Sequence, residues 1–234
     1  MSDGMQSGLP DNLKRQPRAL FFEGMGSSTL DAFELKLFDW YVRETEPVLS
    51  QMLQMEQDYF QSQIENGDPD PNDSGFIAVE YYTKRIRYAH VIYLVSLLET
   101  AVERACSKLM QAVGSEVTPF GPTDLKGGQW EKRYKFLKRY GDIEVPKNLR
   151  SKVDFLCSVR NFLVHENGST SDIPDSKKAE IRSHLGINID GPEFVIEDTF
   201  IQHAFESVKA FLDDLEKRIA EVIERTINAL KLGH

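Results

Sequence analysis

The sequence predicts an all-α protein, a bundle of about five long helices with one small β-hairpin near 187–196. Three observations predict it. Apolar residues recur at spacings of three, four or seven over most of the chain, which is the helical period. Gly, Pro and Asn cluster between these segments, at 66–75, 118–128, 141 and 167–168, where helices stop. Only 187–196 alternates apolar with polar, around Asp190-Gly191-Pro192, as two short paired strands would.

Residues 1–28 are rich in Gly, Ser and Pro and read as a flexible N-terminal arm, with one apolar piece at Ala19-Leu20-Phe21-Phe22. The first helix is expected to start at Ser28 or Thr29 as N-cap. Its apolar face is read as Phe33, Leu37, Trp40, Tyr41, Val48, Met52, Met55 and Tyr59, with Pro47 kinking or dividing it. A second helix covers about 77–113, apolar on nearly all sides over 89–98 and so central, with Gly114 as terminator. On this helix Tyr82, Tyr88, His90 and Tyr93 are read as core. A third helix covers 129–140. A fourth runs from 147 or 148 to about 166, with Leu149, Val153, Leu156, Cys157 and Val164 as its apolar side. A short helix near 176–184 precedes the hairpin, and His184 and His203 are expected at the surface. The last helix, 198–230, carries an apolar stripe from Ile201 to Leu230. Residues 29–231 are taken as one domain, of which 29–66 is an N-terminal helical extension.

Composition narrows the function. The chain has no N-terminal apolar run like a secretory signal, and its longest apolar cluster, 91–98, is too short to cross a bilayer. A cytoplasmic protein with no membrane partner is expected. Cys106 and Cys157 sit in apolar helical patterns and read as reduced core residues. No His/Cys pair has metal-ligand spacing, so neither a metal nor another cofactor is expected. A net charge of −9 argues against non-specific coating of nucleic acid. Yet 126–152 holds nine Lys/Arg against three Asp/Glu, either a solvated helix face or a local basic groove. Trp130, Lys132, Arg133, Lys135, Lys138 and Arg139 are its candidate RNA-binding residues, with Trp130 and Tyr134 able to stack on bases only if exposed.

The segment with most chemical content is Ser158-Val159-Arg160-Asn161-Phe162-Leu163-Val164-His165-Glu166. Asn161 and His165 are four apart and share a helix face. Arg160 and His165 are five apart and point roughly 140° from one another, so two helices about a two-fold axis would be needed to line one groove with both. An imidazole titrates near neutrality and can move protons. A guanidinium offers a fixed cationic fork to phosphate. Plainer roles stand beside these: Arg160 paired with a carboxylate such as Glu99 of the neighbouring helix, and His165 favoured by the helix C-terminal dipole.

Arg160, Asn161 and His165 resemble the Arg-x4-6-His motif of the HEPN superfamily. The surrounding order over roughly 77–230 is similar too: a long apolar helix with Leu97-Leu98-Glu99, a Lys/Arg/Tyr-rich helix, the motif helix and a long last helix. The resemblance implies a homodimer that cleaves RNA without metal, with Arg160, Asn161 and His165 catalytic and Glu99 in support. It implies a toxin or anti-phage effector, with an antitoxin or nucleotidyltransferase as partner. The alternative within the same resemblance is a catalytically silent module that dimerises or binds a nucleotide or partner.

Overall fold

The computed structural model describes residues 32–113 and 121–232. Six α-helices and one hairpin lie among them: α1 (Ala32–Glu65), α2 (Ser74–Val113), α3 (Gln129–Gly141), α4 (Lys147–His165), α5 (Asp175–Arg182), β1 (Ile187–Asp190), β2 (Glu193–Ile196) and α6 (Asp198–Leu232). The all-α architecture with a late hairpin is the one the periodicity predicts. The arm 1–28, the caps at Ser28 and Thr29, Gly114, and the Phe33 and Leu230 side chains lie outside what is described. No helix among the described residues is long and apolar enough to cross a membrane.

α2 is the axis of the bundle and touches α1, α3, α4 and α6. Val91, Leu94, Val95, Leu98, Ala101, Val102, Ala105 and Leu109 are fully enclosed along it. Its inner side reads as small and branched residues because other helices press on it from several directions. α6 lies along it through Ile201, Val208, Phe211, Leu212, Leu215 and Ile219, as its single stripe predicts. The buried apolar side chains of all these elements form one contiguous cluster. Tyr82 and Tyr93 correct the core reading of α2, since both are exposed; Tyr88 and His90 are buried.

α1 runs as one helix through Pro47, so of the kink or division expected there it is not division. Pro47 is exposed, so the carbonyl it leaves unbonded, four residues earlier at Arg43, faces solvent and can bond water. The buried side is also not the expected one: Leu35, Phe38, Val42, Glu46 and Leu49 face the core, while Leu37, Trp40, Tyr41, Val48, Met52, Met55 and Tyr59 are exposed. The choice between these two stripes turns on Glu46. Its carboxylate is buried and receives Arg87 of α2, whose Nε and Nη2 donate to Oε2 at 3.0 and 2.9 Å. Arg87 Nη1 donates on to the Ile196 carbonyl of β2 at 3.3 Å. His90 Nδ1 lies 3.5 Å from the other Glu46 oxygen. Burial pushes the Glu46 pKa up, but hydrogen bonding and charge from His90 and Arg87 outweigh it and leave it below the ordinary carboxyl value.

The hairpin closes the end of the bundle. Ile187 pairs with Ile196 and Ile189 with Phe194, and all four are buried. Gly191, at φ 53°, makes the two-residue turn with Pro192. The end of α4 is stitched to this hairpin. Phe194 N donates to the Gly168 carbonyl at 3.1 Å, and Thr170 N to the Pro192 carbonyl at 2.6 Å. From α2, Tyr88 Oη donates to the Phe194 carbonyl at 2.6 Å, Arg85 holds Asn167, and Lys84 pairs with Glu193. Gly168, at φ 80°, lets the chain leave α4 directly over Tyr88.

Two outcomes are expected. Gly168→Ala puts a Cβ 2.5 Å from the Tyr88 ring in a left-handed conformation, so urea denaturation should show a loss of about 2–3 kcal/mol. Glu46 titrates lower in the folded than in the unfolded chain, so it contributes stability above its unfolded pKa and loses it as pH falls through the folded one. Glu46→Gln should therefore be less stable at neutral pH. It should also lose stability less steeply below about pH 4.5, as read from thermal midpoints across pH.

Candidate functional site at the α2–α3–α4 junction

α4 begins after Pro146 and buries Val153, Phe155, Leu156, Cys157, Val159 and Leu163. Of its expected apolar side, Val164 is turned outward instead. Beside Cys157, Arg160 reaches across to α2, where its Nη2 donates to Glu99 Oε1 at 2.8 Å. Its Nη1 donates to the Asn161 side-chain oxygen at 3.0 Å. The guanidinium is thus held between the carboxylate foreseen for it and the next residue's amide.

Arg133 of α3 joins the same node. Its Nη1 lies 3.8 Å from that Glu99 oxygen, and its Nη2 pairs with Glu103 Oε1 at 2.5 Å. Glu99 and Glu103 are one helical turn apart and present a pair of carboxylates to two arginines. Arg133 is only 3% exposed. That corrects its place among the RNA-binding candidates: it is a buried structural cation and is not on the basic surface. Trp130 is half-buried, with Arg133 5.0 Å over its ring, Phe211 against its edge and its indole nitrogen enclosed without a partner. Tyr134 is buried under Arg150. Neither ring is free to stack on a base, because this side of α3 packs onto α2 and α6.

A recess of about 310 Å³ opens at the node, lined by Glu99, Gln129, Trp130, Asp154, Ser158, Arg160 and Asn161 among others. It shares Glu131 and Asp154 with a larger cleft of about 980 Å³ between α3 and α4. Lys135, Lys138, Arg139, Lys147 and Arg150 rim that cleft. Several of these cations are already paired: Lys135 with Glu131, Lys138 with Asp142 and Glu144, and Arg150 with Asp154. Such exposed pairs are weak and exchangeable. Lys132 donates to the Thr123 carbonyl and stands outside the cleft lining.

His165 is not in the recess. It sits in the last turn of α4, about 7.5 Å further along the axis than Arg160. It is exposed and makes no hydrogen bond or ion pair among the described residues. Arg160, Asn161 and Glu99 are therefore brought together, while the imidazole stands apart at the surface. Glu103, Asp154 and Gln129 were not singled out from the sequence. For Glu103 the signal was its position four residues after Glu99; for Gln129 and Asp154 there was none.

The other reactive groups are elsewhere. Cys106 and Cys157 are free and buried, and burial pushes both thiols up to about 12, which leaves little thiolate near neutrality. His184 is half-buried, stacked on Phe155 at 3.5 Å, and burial lowers its pKa; His203 is exposed, as expected. No group of three or more His, Cys, Asp or Glu among the described residues is arranged to hold a metal.

Glu99→Ala would leave Arg160 and the buried Arg133 short of an anion. A loss of about 2–4 kcal/mol is expected in chemical denaturation, and Glu99→Gln should recover part of it.

No family model, no curated protein and no solved structure matches the chain.

Proposed function

We propose that the chain is an endoribonuclease of HEPN type, acting as a homodimer on RNA in the cytoplasm as a toxin or anti-phage effector. The observation that carries the reading is the state of the motif. His165 is exposed and unpartnered among the described residues, while Arg160 and Asn161 line an open recess on the same helix.

In the proposed reaction one His165 takes the proton of a ribose 2′-hydroxyl. The 2′-oxygen attacks the adjacent phosphorus as the bond to the 5′-oxygen breaks. The partner subunit's His165 protonates the leaving oxygen. Arg160 stabilises charge on the phosphorane, and Asn161 orients phosphate or ribose. The products are a 2′,3′-cyclic phosphate and a 5′-hydroxyl. The paired cations of the α3–α4 cleft offer the strand a route away from the recess, exchanging carboxylates for phosphates. In this reading Lys135, Lys138 and Arg139 contact RNA.

One observation favours a second reading. Arg160 is already neutralised by Glu99, in a chain of net charge −9. A non-catalytic HEPN module, dimerising or binding a nucleotide, an antitoxin or a nucleotidyltransferase, needs no free cation there.

His165→Ala separates the two. On the first reading RNA cleavage falls on the order of 100-fold or more and growth arrest is lost, with the fold unchanged by circular dichroism. Cleavage by the parent chain should persist in EDTA and leave cyclic phosphate ends. An unchanged rate in the variant, or no cleavage by the parent chain, overturns the nuclease reading.

A further inference from the structure

We infer that the outward face of α1, with the adjoining face of α2, is where two copies of this chain meet. The inference is independent of the nuclease reading and concerns a different surface from α4.

α1 has two apolar sides. One packs on the core through Phe38, Val42 and Leu49. The other, Leu37, Tyr41, Val48, Met52, Met55 and Tyr59, falls within an arc of about 60°, roughly 100° round from the first, and runs for about 33 Å. All six are exposed. From Val48 the steps are four, three and four residues, and Tyr41, Val48 and Met55 are seven apart. That is the seam of a helix that pairs with another helix. From Tyr41 to Met55 the stripe spans about four helical turns.

The face continues onto α2. Leu37, Trp40 and Tyr41 share an apolar groove of about 530 Å³ with Ile86, Ala89 and Tyr93. At the other end α1 and α2 are joined by a short loop, with Asn72 N donating to Gln63 Oε1 at 2.7 Å. Tyr82, on the same side of α2 as Ile86, Ala89 and Tyr93, is exposed there.

Area favours a second copy. The five aromatic rings of this face, Trp40, Tyr41, Tyr59, Tyr82 and Tyr93, are each 47–65% exposed. At about 200 Å² per ring they leave roughly 550 Å² open, the upper end of what a monomer presents in one patch. The aliphatic side chains between them, 46–62% exposed, bring the face to about 900 Å². A stable interface covers about 800 Å² per partner.

The seam itself is apolar. Glu44 borders it, Glu56 is half-buried with its carboxylate against Gly75 of α2, and Lys36 and Arg43 project from the other side of the helix. Antiparallel pairing centred between Val48 and Met52 sets Tyr41 against the partner's Tyr59.

Sedimentation equilibrium of the full chain at micromolar concentration tests this. Association is expected, to a dimer through this face alone and to a larger assembly where the motif helices pair as well. Met52→Asp should weaken it on the order of 100-fold, because the carboxylate would have to be buried without a partner. Met55→Asp should do the same, and both positions are exposed enough to leave the helical circular dichroism unchanged. Val164→Asp on α4 should leave this dimer intact. A monomer at every concentration, a dimer indifferent to both methionine variants, or one broken only by Val164→Asp overturns the inference. The last result would instead support pairing of the motif helices, so the two proposals fail separately.

Discussion

The carboxylates of Glu99 and Glu103 decide how three helices meet. α2 is largely apolar where it is covered, and Glu99, half-buried on it, takes cations from what packs over it, with Glu103 one turn further along at the exposed edge. α3 supplies Arg133 and α4 supplies Arg160. Because Arg133 is sealed, the register of α3 on α2 is constrained by charge as well as by shape. Arg160 is less enclosed, and it couples the orientation of α4 to the same carboxylate. The recess at the junction is what remains when polar side chains keep three helices from closing over one another.

A fully buried carboxylate does similar work at the other side of the axis. Glu46, Arg87 and the Ile196 carbonyl link α1, α2 and β2 through one guanidinium. An apolar side chain at position 46 would satisfy burial but would leave Arg87 without its anion. The two arginine-carboxylate nodes lie on α2 about three turns apart.

Much of this was legible in the residues. Gly141, Asn167 and Gly168 stop helices where the pattern breaks, and the Asp-Gly-Pro turn gives the hairpin its place. The pairing of Arg160 with Glu99 could be foreseen because Leu97-Leu98-Glu99 puts one acid at the edge of the most buried helix. What could not be read is which of two apolar stripes on α1 faces inward. Periodicity reports that a face is apolar and is blind to what it touches, and the decisive residue, Glu46, reads as a surface acid until Arg87 is beside it. Trp130 escaped for a related reason. A tryptophan among lysines and arginines has the composition of a nucleic-acid groove, yet the helix carrying it is short and its ring is drawn under by Phe211. The separation of His165 from Arg160 did follow from spacing alone, since five residues on one helix cannot converge.

The stitching of the α4 terminus to the hairpin bears on the imidazole just before it. Asn167, Gly168 and Thr170 are all anchored, by Arg85, Phe194 and Pro192. The last turn of α4 therefore ends in a clamp, where most helix termini fray. Whatever approaches His165 meets a side chain on a fixed mount with only its own rotamers left to settle. The entropy of ordering the backbone has already been spent in folding, and recognition there does not have to supply it again.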